Sequence, residues 1–152
     1  AALVNQRGRA VDSRNIDIKS VILGSTIDVG VTFVTYFIFE IVYIVYHVSP
    51  GLTPGEVAAL MQGSTSYMRV LLIVVLGITL ISGYLTTLIS KSAALENPLT
   101  MGAVCAVLGF LLVFGFERNA PIWYYVLSFA FAIPCAALGG VLRRVQIQRR
   151  ST

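Results

Sequence analysis

Charge is scarce in this sequence of 152 residues: only 12% of them are Asp, Glu, Lys or Arg, whereas 57% are hydrophobic. A soluble domain normally carries about a quarter charged residues, and a chain of this length has too small an interior to hide so many apolar side chains. The low charge therefore excludes an ordinary soluble domain and favours a protein embedded in a membrane.

Lys and Arg are absent from four long apolar segments, which have the length and composition of transmembrane helices. The four segments are residues 21–46, 70–90, 99–116 and 121–142. We therefore predict an all-α fold, a four-transmembrane-helix bundle over residues 21–142. It is preceded by a polar tail at 1–20 and followed by a basic tail at 143–152.

The first 20 residues lack the apolar core and small-residue cleavage site of a signal peptide, so the first span is expected to direct insertion itself. Nine of the 11 Lys and Arg residues lie in the two tails or between the second and third spans, and only Arg69 and Arg118 lie on the other side. Because cytoplasmic loops are enriched in Lys and Arg, we expect both termini in the cytoplasm. Lipid headgroups are the expected partners of these flanking charges, and nucleic acid is not.

Cysteine and histidine are rare, with two Cys and one His in the chain. There is no CxxC motif, and His47 lies at the outer end of the first span, far from Cys105 and Cys135. We therefore predict no metal site and no cofactor. We also predict no disulfide, since the inner leaflet adjoins a reducing compartment. An enzyme is not expected either, because no group of His, Asp and Cys lies near a headgroup.

The loop after the first span contains a helix-start motif. Thr53 stands at the N-cap, Pro54 at the first turn and Glu56 three residues after Thr53, which is a capping box, while Gly63 is a natural stop. The motif predicts a short amphipathic helix of about two turns lying on the outer membrane surface. Covering the outer end of the bundle is the role we favour over ligand binding.

Small residues recur at helical spacing on the third and fourth spans, where they permit close helix contact in a bilayer. One row lies on the third span and one on the fourth: Gly102, Ala106 and Gly109, and Ala132, Ala136 and Gly140. We expect the two rows to pack against each other.

The first span carries two acidic residues, Asp28 and Glu40. Glu40 is expected at the outer headgroup region, where water solvates it. Asp28 lies roughly 10 Å inside the hydrocarbon, counted at about 1.5 Å per residue from Val21. Ionisable residues at such depths usually mark function. The polar residues that share the helix face of Asp28 are Ser25, Thr32 and Thr35.

Three environments are open for Asp28, because no Lys or Arg lies within any span. The carboxyl group could be protonated and hydrogen-bonded to Tyr84, Ser82 or a backbone carbonyl. It could instead face a partner subunit, or lie in a proton or ion path. Tyr84, Cys105 and Cys135 are expected at the same depth. We favour the hypothesis that Asp28 faces another protein chain.

Four stretches, "GSTIDVGVT", "LTPGEVAAL", "ISGYLTTLISK" and "NPLTMGAVCAVLGFLL", resemble a broad group of small uncharacterised bacterial inner-membrane proteins with four spans. That group has "GGY" near the end of span two, where this chain has "SGY", and a "P…GG" end to span four, as in "IPCAALGG". The similarity covers most of residues 20–144. It implies a bacterial origin, a multi-pass inner-membrane location and a four-helix fold, and it brings no activity.

The functional expectation is a non-catalytic accessory subunit that packs against a larger membrane complex. This interpretation fits the small size and the lack of a catalytic constellation. Its partners would be other membrane subunits, with self-association as a further possibility. The alternative is a small oligomeric channel or transporter that passes protons, ions or a small solute along the Asp28 stripe, since four short spans need oligomerisation to enclose a path.

Overall fold

The structure is a computed structural model, and it describes residues 16–47, 51–90, 95–115 and 120–150. These residues form five α-helices and, within those ranges, no β-strand: α1 (Ile18–His47), α2 (Pro54–Gly63), α3 (Thr65–Ile89), α4 (Glu96–Gly115) and α5 (Ile122–Arg150). The predicted all-α class is confirmed. Of the predicted polar tail at residues 1–20, residues 1–15 lie outside the described residues.

Three helices, α1, α3 and α5, are long and apolar enough to cross a membrane. The shortest of them, α3, has 25 residues, which corresponds to roughly 38 Å and exceeds a hydrocarbon core of about 30 Å. α4 has 20 residues, and its apolar stretch with described side chains, Glu96–Leu112, is shorter than a typical span. The structure therefore supports a membrane protein, and the fourth span stays a prediction.

α5 continues to Arg150, beyond the predicted end of the span at residue 142. The extension is held against α3, because Gln146 Oε1 accepts hydrogen bonds from Tyr84 Oη at 2.5 Å and from Arg143 Nη1 at 2.8 Å. The guanidinium of Arg143 also lies 5.8 Å from the centre of the Tyr84 ring. The start of the basic tail is thus helical and packed.

The first turns of α1 and α4 are tied together. The Asp17 carboxylate accepts from the Lys19 and Ser20 amides, which satisfies free N–H groups at the start of α1. The Asp17 amide itself donates to Oδ1 of the fully buried Asn97 at 2.9 Å. Pro98 follows in the first turn of α4, where a missing N–H costs nothing.

α3 lies at the centre of the bundle and packs against each of the other four helices. α5 packs most extensively on α3 and then on α4, whereas α1 packs on α3 and then on α4. Over the described residues the backbones of α1 and α5 make no close approach. These two helices do meet where the second half of α1 approaches the start of α5, because the hydroxyls of Tyr36 and Tyr124 form a hydrogen bond there.

Glycine residues allow the closest helix contacts. A Cβ at Gly139 of α5 would lie 2.7 Å from the Tyr84 amide nitrogen of α3, so the two backbones are nearly in contact there. A Cβ at Gly102 of α4 would lie 2.9 Å from the Ala136 Cβ and 3.3 Å from the Ala132 carbonyl oxygen. The row on α4 thus touches the row on α5 at this point.

The rest of the two small-residue rows is arranged differently from the expectation. Gly109 lies against the ring of Phe129, which is not a small residue, and Gly140 lies against Pro98 and against Thr87 of α3. Ala106 is partly buried. The rows diverge because Gly140 is shared between α3 and α4, so α5 packs into the groove between these helices.

α2 has the predicted capping box. Thr53 Oγ1 accepts from the Glu56 amide, and the Glu56 carboxylate accepts from the Thr53 amide at 2.8 Å. Val57 and Met61 are the buried residues of α2, and the helix packs on α3 and on the outer end of α1.

Candidate functional site

Asp28 lies inside the chain's own bundle. Only 5% of the residue is exposed. The side chains that interact with its carboxyl group are Cys105 of α4 and Thr79 and Ser82 of α3. The structure thus differs from the hypothesis that Asp28 faces another chain: the face of α1 that carries Asp28 is the face that packs on α3 and α4.

Two of these three neighbours also have a second partner on their own helix. The Thr79 hydroxyl donates to the Val75 carbonyl at 3.2 Å, as threonines inside helices commonly do. The sulfur of Cys105 lies 4.0 Å from the sulfur of Met101. The hydroxyls of Thr79 and Ser82 and the thiol of Cys105 thus surround the carboxyl group from two helices.

Three buried oxygen atoms on one face of α1 have no hydrogen-bond partner among the described residues: Ser25 Oγ, Asp28 Oδ1 and Thr32 Oγ1. The three residues span roughly 10 Å of helix, at about 1.5 Å per residue. An unsatisfied buried polar group costs about 1–3 kcal/mol, and native proteins contain few of them. The row is therefore a candidate binding site.

Tyr84 is a predicted site residue that does not lie beside Asp28. Its hydroxyl bonds to Gln146 of α5, whereas Ser82, two residues earlier, faces α1 with Thr79. Residues two apart on a helix point to nearly opposite sides. The rotation of α3 about its axis therefore separates Tyr84 from Asp28, whatever depth the two residues share.

The other predicted residues are spread along the bundle. Thr35 is partly buried, two turns further out than Asp28. Cys135 is partly buried on α5 and Cys105 is buried on α4, and both are free thiols. Glu40 is exposed. In the described part of the chain, no three His, Cys, Asp or Glu residues lie close enough together to hold a metal ion.

Thr79 is the site residue that sequence reasoning missed. Thr79, Ser82 and Thr86 follow one another at spacings of three and four, which places them on one face of a helix, and all three are buried. This hydroxyl row on α3 was readable from the sequence. The row on α3 has the same helical spacing as the polar row on α1, and that similarity is the sequence signal that indicates Thr79.

An aromatic cluster lies where the C-terminal end of α1 meets the start of α3. Tyr43 stacks on His47 with ring centres 4.8 Å apart and meets the edge of Tyr67 at 5.0 Å. Met68, Leu71, Leu72 and Tyr124 form the buried core beneath it. These rings fill space against one another, as anchors at a membrane interface do.

Comparison with protein families, with curated proteins and with solved structures finds no match to this chain. The geometry alone therefore carries the functional argument. The candidate site is one buried carboxyl group among the hydroxyls of Thr79 and Ser82 and the thiol of Cys105, and buried ionisable groups of this kind often mark function in membrane proteins.

Proposed function

We propose that this protein is a non-catalytic membrane subunit that packs, through α1, against another membrane protein. In this proposal α1, α3, α4 and α5 cross a bacterial inner membrane, and both ends of the chain are cytoplasmic. α2 lies on the outer surface. The support for the orientation is the uneven distribution of Lys and Arg.

The observation that carries the proposal is the outward face of α1. The buried residues of this helix end at Asp28, and from Val29 to His47 no residue is buried. Lipid could cover the apolar side chains of this face as well as a protein could. The face also has a feature that lipid does not require, which is a pair of small residues.

Thr26 and Gly30 are both exposed and stand four residues apart. A Cβ at Gly30 would meet no atom within 4 Å, so the glycine serves no contact inside the described bundle. The Thr26 hydroxyl is satisfied by the Ile22 carbonyl at 2.9 Å. Small residues at this spacing let a second helix approach closely in a bilayer, and a protein partner is what would use them.

The test is extraction of the protein from native membranes in mild detergent, followed by mass identification of what co-purifies. We expect a defined membrane protein to co-purify with the wild type. Gly30→Leu should reduce its yield at least tenfold, because the leucine blocks close approach. The substitution has no neighbour to clash with in its own chain, so the fold should be unchanged.

Gly77→Leu is the matched control, since Gly77 is an exposed glycine on α3 with equally open space at its Cβ. It should leave co-purification unchanged. Recovery of the wild type as a homogeneous self-oligomer with no other protein would contradict the accessory-subunit proposal, as would equal effects of the two leucine variants.

The second candidate is a small oligomeric channel or transporter for protons, ions or a small solute. The specific observation in its favour is the row of unpartnered oxygens at Ser25, Asp28 and Thr32. Purified protein in liposomes should then give an ion flux that Asp28→Asn abolishes. Liposomes as tight as empty controls would count against transport.

A further inference from the structure

The buried oxygens on the interior face of α1 favour a positive charge beside Asp28. Asp28 is 5% exposed and Ser25 is 6% exposed, and each has a buried oxygen without a hydrogen-bond partner among the described residues. Burying an ionised carboxylate without a positive charge beside it costs far more than burying a neutral polar group. Something positive must therefore accompany the ionised form.

In the part of the chain that the structure describes, no side chain beside Asp28 supplies that charge. The spans contain no Lys or Arg, and the groups that face the carboxyl from α3 are hydroxyls, those of Thr79 and Ser82. From α4 the titratable group is the thiol of Cys105, which carries no positive charge in either protonation state. α5 makes no close backbone approach to α1 in the described ranges, so Arg143 lies with Tyr84 on the far side of α3.

The surrounding hydroxyl oxygens are also suited to a cation. When the Thr79 hydroxyl donates to the Val75 carbonyl, its oxygen keeps lone pairs that can coordinate. Ser25 Oγ, three residues before Asp28 on the same face, has no hydrogen-bond partner among the described residues and can coordinate as well. Hard cations prefer oxygen ligands of these kinds, namely carboxylate and neutral oxygen.

We propose that Asp28, together with the hydroxyl oxygens of Ser25, Thr79 and Ser82, binds a small monovalent metal cation of the size of sodium or lithium. One carboxylate neutralises one positive charge. A divalent ion would leave a net charge in the apolar interior, which the same desolvation cost disfavours. The proton is the competitor for the same carboxylate, so apparent cation affinity falls as the pH is lowered.

This inference goes beyond the accessory-subunit proposal and does not need transport, because it concerns equilibrium binding to the isolated chain. The test uses the purified full-length protein in sodium-free detergent buffer. Radioactive sodium binding is measured at equilibrium, and the midpoint of thermal unfolding is followed as sodium chloride replaces choline chloride at constant ionic strength. We expect saturable binding of about one ion per chain and a rise in the midpoint with sodium.

Variants locate the site. Asp28→Asn keeps the shape of the side chain but removes its charge, and it should abolish saturable binding. Ser82→Ala should weaken it at least tenfold. Glu40→Gln is the control, because it neutralises an exposed acid on the same helix and should leave binding unchanged. Competition should favour lithium and sodium over choline, and affinity should fall at low pH.

Several results would overturn the proposal. One is a wild type that shows no saturable sodium binding at any pH, in which case a proton alone occupies Asp28. Another is an Asp28→Asn protein that binds sodium as the wild type does. If Asp28→Asn fails to fold, the direct binding measurement on the wild type and the Ser82→Ala variant still decide the question. Failure of co-purification leaves these results untouched.

Discussion

At the residue scale, glycine decides how near α3 and α5 come to each other. Gly83 of α3 lies against the Ala136 backbone, and Gly139 of α5 lies against the backbone of Leu80 and Tyr84. In a bilayer, apolar side chains gain little from leaving lipid for protein, so close van der Waals contact is what holds helices together. These two glycines therefore contribute more to association than a leucine would.

Gly139→Ala should lower the free energy of unfolding by about 1–3 kcal/mol, the usual cost of overpacking. The added methyl group would lie 2.7 Å from the Tyr84 nitrogen, a backbone atom that cannot rotate away. Thermal unfolding in detergent measures the loss.

Gly77→Ala is the control for this prediction, because open space surrounds Gly77. It should change stability little, or raise it by up to about 1 kcal/mol, since alanine is the better helix former. Equal losses in the two variants would mean that the α3–α5 contact is not this close.

At the element scale, α2 is a short helix whose start is held by its cap. The hydrogen bonds from Thr53, first from its backbone amide and then from its side chain, lower the pKa of the Glu56 carboxyl below its ordinary value of 4.5. A lowered pKa in the folded state means that the stabilisation is complete above pH 4.5 and is lost as the pH falls through the folded-state value. The cap should open only in acid.

Thr53→Val removes the side-chain hydroxyl and keeps the amide, so the pKa of Glu56 should rise part of the way back toward 4.5. An NMR titration of the Glu56 side-chain carbon in micelles measures this shift. Ser64→Ala is the control, since Ser64 caps the start of α3 and not α2. An unchanged pKa in Thr53→Val would show that the hydroxyl does not bond to Glu56.

At the scale of the whole molecule, α1 is the least enclosed of the long helices. Over an apolar stretch of 18 residues in each helix, none of the residues of α1 is buried, compared with 33% of those of α3 and 22% of those of α5. α3 and α5 form the packed centre, while α1 attaches by its N-terminal third and by aromatic contacts near its C-terminal end. A second protein could therefore bind α1 without disturbing the core.

Single cysteines test the proposed orientation in a background where Cys105 and Cys135 are replaced by alanine. Gly55 and Ile147 are both exposed, at the start of α2 and near the end of α5. With a membrane-impermeant maleimide, Gly55→Cys should react in intact spheroplasts and Ile147→Cys only after permeabilisation. The reverse pattern would invert the topology.

The sequence by itself determined that the chain is helical and membrane-embedded, roughly where its long helices lie, and that a capping box starts a helix at Thr53. Each follows from local chemistry: apolar length, the cost of charge in hydrocarbon, and side-chain bonds between residues three apart. It also singled out Asp28 as a buried acid.

Only the tertiary structure decided the rotation of each helix about its axis. Because a span is apolar on nearly every side, its composition does not say which face meets a neighbour. That rotation brings Thr79, Ser82 and Cys105 to Asp28, turns Tyr84 toward Gln146, and leaves Gly30 facing outward.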